Sequence, residues 1–358
     1  MASHQYGLIM AGGRGTRFWP QSRKRNAKQV LRFFGERTLI QQTVDRLEGV
    51  IPPDNVWVVT SEFLQAEIRR QLPEVPKEQI IAEPSQRNTA PCIALAAQIL
   101  AEIDPEAVMG VFPADHLILK AARFRGFVKR AFRTAHRDGV VVVLGIQPRW
   151  PEIGYGYIEF PENVKPGEMD ALPIASFREK PDLATAKKFV KRGNFFWNAG
   201  MFFWRASTLL DLVRHHQPKT ATLLAGVPSF RSKGFAAKLR AAYPLCDDIS
   251  VDYALLEKCE GVLGIAVDDI GWNDVGSWDA VYELAPKDEH GNASRGELFA
   301  NESSGNYVDV EKAVALVGVE NLVVVDTPDA LLIANRGKAQ DVSKLVKTLE
   351  AQGRDGLL

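Results

Sequence analysis

The N-terminal part of the chain alternates between two patterns of apolar residues. Short apolar runs are typical of buried strands, and longer segments repeat their apolar residues at helical spacing. The short runs predict strands at residues 6–11, 56–60, 79–82, 108–112 and 140–146. The longer segments predict helices at residues 38–48, 64–72, 92–103 and 123–136. Strands that alternate with helices predict an α/β protein with a Rossmann-like, mostly parallel mixed sheet flanked by helices.

The pattern changes near residue 292. Short β-rich segments at 307–310, 314–319, 322–325 and 331–334 are separated by Asn, Gly or Asp. An amphipathic helix is predicted at 342–349, where Val342, Leu345, Val346 and Leu349 share a face. We therefore expect an α/β domain over residues 1–288 and a small β-rich domain over 289–358 that ends in this helix. A short left-handed β-helix is one form that the small domain can take. The apolar face of the helix suits packing within its own domain, with a homodimer as the alternative.

Composition narrows the range of partners. The 358 residues contain 44 basic and 44 acidic side chains, and this zero formal charge argues against nucleic acid or an anionic membrane as a general partner. The three cysteines, Cys92, Cys246 and Cys259, lack metal-site spacing and fit a reducing cytoplasm. No apolar run approaches the roughly 18 residues of a membrane span. We expect a cytoplasmic protein.

The first predicted strand opens into a glycine-rich loop that carries two arginines, Arg14 and Arg17. Glycines allow backbone amides to approach a ligand, and amides beside guanidinium groups suit a polyphosphate. The loop lacks the lysine motif of a P-loop, and Phe18 stands where a dinucleotide-binding fingerprint needs its third glycine. An ordinary glycine-rich turn is the alternative. The candidate nucleotide-binding residues here are Ala11, Gly12, Gly13, Arg14, Gly15 and Thr16.

Polar residues also follow two other predicted strands. Glu83 could accept hydrogen bonds from N1–H and N2–H of guanine, while Asn88 or Thr89 could either contact a nucleotide or cap the next helix. Asp115 follows the strand at 108–112, and a carboxylate in that position suits Mg²⁺, although it could also cap a helix. Spacing alone leaves Asp274 as a turn or cap residue.

The segment from Ala11 to Pro20, together with Lys28 and Gln29, resembles the signature of the sugar-1-phosphate nucleotidyltransferases. Further segments resemble that family in the same order, namely 83–91, 113–116, 154–159, 177–181, 195–204 and 271–278. One departure is Ala27, where the family usually has proline. The most similar members use GTP and mannose 1-phosphate. The resemblance thus implies transfer of GMP to mannose 1-phosphate, with GDP-mannose and pyrophosphate as products.

The resemblance also implies roles for individual residues and Mg²⁺ as the cofactor. It implies catalytic roles for Arg17, Lys28, Asp115 and Asp274, with the two aspartates as ligands of the metal. It places Glu83, Asn88 and Thr89 with the glycine loop at the nucleotide. At the sugar phosphate it places Gly156, Glu179, Lys180, Asn198 and Gly200. The mainly helical segment at 207–258 is expected to cover the site, but spacing singles out neither Asp252 nor Glu257.

Three alternatives stay open. The same chemistry could act on another sugar 1-phosphate or another nucleotide. A non-catalytic regulator could bind a GDP-sugar, although it would not need Arg17, Lys28, Asp115 and Asp274 together. A nicotinamide-linked oxidoreductase is disfavoured because the third glycine is missing.

Overall fold

The computed structural model describes residues 4–358. This part of the chain contains ten α-helices, namely α1 (Leu39–Asp45), α2 (Gln65–Gln71), α3 (Thr89–Ile103), α4 (Ala121–Asp138), α5 (Leu183–Arg192), α6 (Ala206–His216), α7 (Pro218–Ala225), α8 (Phe235–Ala242), α9 (Trp278–Leu284) and α10 (Val342–Ala351). It also contains eighteen strands, namely β1 (Gln5–Ala11), β2 (Val56–Ser61), β3 (Ile80–Glu83), β4 (Val108–Pro113), β5 (Leu117–Ile118), β6 (Val142–Ile146), β7 (Tyr157–Glu159), β8 (Ala171–Pro173), β9 (Ser176–Arg178), β10 (Phe195–Arg205), β11 (Leu263–Val267), β12 (Trp272–Asn273), β13 (Ala293–Ser294), β14 (Leu298–Asn301), β15 (Tyr307–Asp309), β16 (Val314–Val317), β17 (Leu322–Thr327) and β18 (Ala330–Asn335).

A ten-stranded mixed sheet forms the centre of the larger α/β part. Its main path runs β3-β2-β1-β4-β10-β6-β11-β8, and β7 and β9 extend it beside β10. The first four strands are parallel, β10 is antiparallel to both of its neighbours, and β6 pairs in parallel with β11. The predicted α/β class and mostly parallel mixed sheet are confirmed.

Helices cover both faces of this sheet, which explains the continuous apolar runs of its strands. The core on one face includes side chains of α3 and α6, and the core on the other face includes side chains of α4. Four parallel strands end at the same edge, at Ala11, Ser61, Glu83 and Pro113. The segments that follow these strands therefore meet at one edge of the sheet, where ligands bind in such folds.

Strand β10 brings polar groups into the middle of the sheet. Its pairing with β6 shifts register between Asn198 and Phe202, and Gly200 within the shift has φ 65°. A residue with a Cβ is strained at this φ, so glycine suits the bulge. The aromatic residues around it are buried as expected, and Asn198 is left facing a cavity.

The small C-terminal part is built of stacked parallel strands. β13, β15 and β17 form one parallel row, β14 and β16 form a second, and β18 closes the first row antiparallel to β17. Stacked parallel rows are the arrangement of a β-helix. The terminal helix α10 follows, two residues longer than the predicted segment 342–349.

One apolar core joins this C-terminal part to the glycine loop. Phe18 and Trp19, just after the loop, lie in the same cluster as Trp278 of α9 and Val346 of α10. The indole N–H of Trp19 also donates to the carbonyl of Leu357 at 2.9 Å. Within residues 4–358, the structure has no helix that is long and apolar enough to cross a membrane.

Candidate active site

The glycine loop leaves β1 with its backbone held by two side chains. The amide of Gln29 donates to the carbonyls of Ala11 at 2.7 Å and Gly13 at 3.0 Å, and the hydroxyl of Ser22 donates to the carbonyl of Arg14 at 2.8 Å. Gly15 has φ 61°, and a Cβ there would lie 2.5 Å from the Cβ of Lys28. The loop therefore needs glycine at this position and packs directly against Lys28.

Lys28 connects the two predicted aspartates. Its side chain is buried, and its Nζ donates to Oδ2 of Asp115 at 2.9 Å and to the backbone carbonyl of Asp274 at 2.5 Å. Asp115 follows β4, and Asp274 follows β12, far along the chain. The structure thus brings together three residues that the sequence placed in separate motifs.

The surroundings of Asp115 favour its ionised form. Burial raises the pKa of Asp115, but the charge of Lys28, the neighbouring His116 and the hydrogen bond from Lys28 together hold the pKa below its usual value. Desolvation of the neighbouring His116, whose side chain is 15% exposed, lowers its pKa to about 4. Its Nδ1 accepts a 3.2 Å hydrogen bond from the indole of Trp272. An imidazole with so low a pKa is a weak base, and its Nδ1 is already hydrogen-bonded, so His116 fits a structural role.

Asp274 is held by a residue that sequence reasoning did not assign. The hydroxyl of Tyr155 donates to Oδ1 of Asp274 at 2.6 Å, and its ring packs edge-on against Trp272. A Cβ at Gly276 would lie 2.9 Å from Oδ2 of Asp274. Tyr155 lies two residues before β7, and its carbonyl accepts from the amide of Lys180 at 3.2 Å.

The arrangement of the two aspartates is compatible with Mg²⁺. Within residues 4–358, no group of three or more His, Cys, Asp or Glu side chains is placed to hold a metal ion. Mg²⁺ commonly uses one or two carboxylates and completes its coordination with substrate phosphates and water. Asp115 and Asp274 each offer one carboxylate, held in place by Lys28 and Tyr155 respectively, and two carboxylates are the number that such a site uses.

A cavity of about 700 Å³ lies beside the glycine loop and extends to Asp115. Glu83 also lines this cavity. It is buried, and its Oε2 accepts a 2.8 Å hydrogen bond from the hydroxyl of Tyr243. Its other oxygen contacts the backbone at Gly12, where a Cβ could not fit. Burial raises the pKa of Glu83 to about 7, although the hydrogen bond from Tyr243 acts in the opposite direction.

Asn88 and Thr89 line this cavity and also fix its wall. Asn88 is the N-cap of α3, and its side-chain oxygen accepts from the amide of Thr89 at 3.0 Å. The hydroxyl of Thr89 accepts from the amide of Val251 at 2.8 Å, which ties the helical segment 206–258 to the cleft. The capping interpretation is correct for Asn88, and the same residues remain available at the cavity surface.

A second cavity, of about 240 Å³, contains the residues expected at the sugar phosphate. Asn198 donates to Oδ1 of Asp252 at 2.9 Å and accepts from the amide of Gly200 at 3.0 Å. Lys180 lies 3.3 Å from Oε1 of Glu179, while Oε2 of Glu179 is buried without a hydrogen-bond partner among residues 4–358. Burial and the charge of Asp252 raise the pKa of Glu179 to about 7.

Gly156 and Asp252 complete this second cavity. A Cβ at Gly156 would collide with Oε2 of Glu179, so the bare backbone gives the carboxylate its position. Asp252 begins a π-helical turn, Asp252–Leu256, and its burial raises its pKa. Sequence spacing gave no reason to prefer Asp252 over Glu257, whereas the structure places Asp252 on the cavity wall and leaves Glu257 to accept from the amide of Glu179 at 3.1 Å.

The two cavities meet. Both are lined by Met10, Thr89 and Pro113, so the glycine-loop cavity and the Glu179 cavity form one continuous groove. Asp115 lines the first and Asp274 the second, and Lys28, which lines neither cavity, donates to both aspartates from behind their surface.

The two arginines of the glycine loop have protein partners. Arg17 donates to the carbonyl of Gly276 at 3.3 Å, and Arg14 pairs with Glu350 of α10. Both guanidinium groups are therefore oriented before any ligand binds.

Two family descriptions match the chain. Residues 6–291 match the family described as "Nucleotidyl transferase", and residues 302–349 match a "MannoseP isomerase/GMP-like beta-helix domain". The first match covers most of the α/β part, and the second lies in the stacked parallel strands and α10.

Known proteins resemble the chain over nearly its whole length. The mannose-1-phosphate guanylyltransferase of Escherichia coli K12 is 40% identical over an alignment of 361 positions, which covers 98% of this chain and 75% of that protein. A protein of the same name from Klebsiella pneumoniae is 38% identical over 352 residues, which cover 97% of this chain and 74% of that protein.

A solved structure agrees with these relatives. The crystal structure of a Thermus thermophilus protein, described as mannose-1-phosphate geranyltransferase, superposes with a TM-score of 0.84 at 31% identity. The match covers 97% of this chain and all of the other. The resemblance expected from the glycine loop is confirmed, and the chain belongs to the nucleotidyl transferase family.

Proposed function

We propose that this protein transfers GMP from GTP to mannose 1-phosphate and releases GDP-mannose and pyrophosphate. The observation that supports this most strongly is Lys28, whose ammonium group donates to the carboxylate of Asp115 in one cavity and to the backbone carbonyl of Asp274 in the other. A reaction between two phosphate-bearing substrates needs positive charge at the point where their phosphates meet. The names of the full-length relatives supply the nucleotide and the sugar.

The reaction consists of one displacement. A phosphate oxygen of mannose 1-phosphate attacks the α-phosphorus of GTP, a new P–O bond forms, and the bond to the β-phosphate breaks in line with it. The electron pair of the broken bond leaves with pyrophosphate. No nucleophilic side chain is required, so the protein contributes position and charge.

The nucleotide occupies the larger cavity. The phosphates of the nucleotide are held by the amides of Gly13 and Gly15 and by Arg14, Arg17 and Thr16. The loop keeps its shape because the side chain of Gln29 donates to two of its carbonyls. Ala11 and Gly12 lie beside the base, and ionised Glu83 accepts from the N–H groups of guanine that adenine lacks. Asn88 and Thr89 form part of the wall of this larger cavity.

The sugar phosphate occupies the smaller cavity. The unpartnered oxygen of Glu179 accepts a hydrogen bond from a sugar hydroxyl, and Lys180 neutralises the phosphate as a compact charge. Asn198, Gly156 and Gly200 shape the remaining wall. Lys28 lies between the substrates and stabilises the charge that develops on the leaving pyrophosphate.

Asp115 and Asp274 are the residues that would hold Mg²⁺. A bound Mg²⁺ would supply a second positive charge to the phosphate oxygens of both substrates. Lys28 and Tyr155 keep the two aspartates in place, since one donates to Asp115 and the other to Asp274.

We place the reaction in the cytoplasm, where GTP is available and free thiols such as those of Cys92, Cys246 and Cys259 stay reduced.

A homodimer remains a prediction. On α10, Leu345 is exposed, but more exposed apolar side chains lie on the strands of the C-terminal part, at Phe299, Val317 and Ile333. Sedimentation velocity at several concentrations measures the oligomeric state.

The substrate assignment is tested by pyrophosphate release from a panel of nucleotides and sugar phosphates. GTP and ATP are each combined with mannose 1-phosphate, with glucose 1-phosphate, or with no sugar, always with Mg²⁺. Release that needs both GTP and mannose 1-phosphate supports the assignment. Release with another pair keeps the chemistry but rejects these substrates, and binding of GDP-mannose without release by any pair supports a regulator.

A further inference from the structure

The terminal helix α10 lies against the segment that follows the glycine loop. Val342 and Val346 of the helix are buried in one cluster with Phe18 and Trp19. The chain after the helix strengthens this contact, because the indole of Trp19 donates to Leu357 and Lys24 lies 3.0 Å from Asp355. The helix and the glycine loop therefore form one packed unit.

One face of α10 forms a wall of the nucleotide cavity. Ser343, Val346, Lys347 and Glu350 line the same cavity as Gly13 and Asp115. Residues at these spacings lie on one side of a helix. Asp341 and Lys344 pair with each other at 2.7 Å and do not line the cavity, which places them on a different side.

The wall carries two charges of opposite sign. Glu350 forms an ion pair with Arg14 of the glycine loop, and both side chains are about one third exposed, at 33% and 39%. Lys347 is exposed and makes no ion pair with any residue of the described range 4–358. Partly exposed ion pairs are weak, so a multiply charged anion in the cavity can compete for Arg14.

We propose that α10 is part of the nucleotide-binding site and that its two charges act in opposite directions. Glu350 pairs with Arg14 at the cavity wall and releases it to the phosphates of the nucleotide, so its carboxylate competes with the ligand. Lys347 adds a positive charge on the same wall. Arg14 makes one contact with Glu350, whereas a guanidinium can form two parallel hydrogen bonds to a phosphate.

This inference rests on the proposed function only in taking a nucleoside triphosphate as the ligand of the cavity. It concerns affinity for the nucleotide and is independent of which sugar reacts. Formation of GDP-mannose by the unmodified protein tests the proposed function, whereas nucleotide affinity in α10 variants tests the inference.

The experiment compares four single substitutions in the full chain. Lys347→Gln and Glu350→Gln change the two residues on the cavity wall, and Lys344→Gln and Asp341→Asn remove the same charges from the other side of the helix. Calorimetric titration with GTP gives the Kd of each variant. Melting temperatures confirm that each variant is folded.

The expected result is a pair of opposite shifts. We expect Lys347→Gln to weaken GTP binding by about threefold or more and Glu350→Gln to strengthen it by about threefold or more. Lys344→Gln and Asp341→Asn should keep the Kd of the unmodified protein. Both opposite shifts should shrink in high salt, because the interactions are partly exposed.

Two results would overturn the proposal. Unchanged affinity in both Lys347→Gln and Glu350→Gln would remove α10 from the nucleotide site, even if the unmodified protein makes GDP-mannose. Shifts in the same direction would mean that the substitutions act through the packing of the helix. An unmodified protein that binds no GTP would overturn this proposal and the proposed function together.

Discussion

The hydroxyl of Tyr155 donates a 2.6 Å hydrogen bond to Oδ1 of Asp274. Burial of Tyr155 and the nearby charge of Asp274 raise the pKa of this hydroxyl, so it stays protonated and remains a donor at neutral pH. The carbonyl of the same aspartate is held by Lys28. Asp274 is thus fixed at both its side chain and its backbone, which suits a residue that must keep its position as substrates bind.

Tyr155→Phe removes the donor and leaves the ring in place. We expect turnover to fall about tenfold and the Mg²⁺ concentration for half-maximal activity to rise, because a carboxylate loses its orienting partner. Steady-state rates across a Mg²⁺ titration measure both effects. Tyr157→Phe is the matched control, since that hydroxyl donates to the carbonyl of Glu152 at 2.8 Å instead. Equal losses in the two variants would mean that the hydrogen bond to Asp274 has no special role.

Lys28→Gln removes the charge that contacts the carboxylate of Asp115 and the backbone of Asp274. We expect turnover to fall by about 10²–10³, since a donor placed where charge develops is worth that much in comparable sites. Lys120→Gln is the control, because Lys120 pairs with Asp269 on the surface at 2.7 Å. Turnover within a few-fold of the unmodified protein would contradict the catalytic role of Lys28, provided that thermal melting shows both variants folded.

Glu83→Gln tests the recognition of guanine. A carboxylate accepts from both N–H groups of guanine, whereas an amide presents only one accepting atom. We expect the ratio of kcat/KM for GTP to that for ATP to fall about tenfold or more. An unchanged ratio would assign base selection to other residues, such as Asn88, that line the same cavity.

The raised pKa of Glu83 also predicts a pH dependence of stability. Its folded-state pKa is about 7, against an ordinary value of 4.5, so the folded protein binds the extra proton between these values. The free energy of unfolding therefore falls as pH rises from about 4.5 to 7 and is constant above that window for this group.

Glu83→Gln should remove the part of this decrease in the free energy of unfolding that comes from Glu83. Urea unfolding at pH 5 and pH 8 should show that the variant gains stability relative to the unmodified protein by about 2–3 kcal/mol at the higher pH. Glu179, whose pKa is also raised to about 7, keeps its own share in both proteins. Parallel pH profiles would show that burial of Glu83 does not penalise its charge.

Lys180→Gln should act on the sugar phosphate alone. We expect the KM for mannose 1-phosphate to rise about tenfold, with little change in the KM for GTP, since one charge-assisted contact to the phosphate is lost. Lys187→Gln is the control on the exposed surface of α5. A rise in the KM for GTP of equal size would contradict the separation of the groove into two substrate ends.

The elements near the start of the chain could be predicted from local pattern, as could the candidate residues in its motifs. The glycine loop, Lys28 and Asp115 belong to short segments, and β1 and β4 are visible in the sequence as apolar runs. The partners of these residues could not be predicted, because they come from distant parts of the chain. Tyr155 and Asp274 are 119 positions apart, and Arg14 and Glu350 are 336 apart.

Asp252 is a second residue whose place in the site could not be predicted from the sequence. Its segment has the pattern of an ordinary helix, and no spacing separates it from Glu257. The bulge in β10 turns Asn198 toward Asp252, 54 positions away, and this pairing identifies the carboxylate on the cavity wall. A backbone irregularity of this kind depends on the register of neighbouring strands, which a single sequence does not reveal.

The most direct test is chromatographic detection of GDP-mannose in a mixture of GTP, mannose 1-phosphate and Mg²⁺, with the unmodified protein and with Asp115→Asn. The two side chains differ in charge but hardly in size, so the comparison isolates the carboxylate. We expect GDP-mannose from the unmodified protein and a loss of about 10²-fold or more in the variant. No GDP-mannose from the unmodified protein, or undiminished formation by Asp115→Asn, would contradict the account.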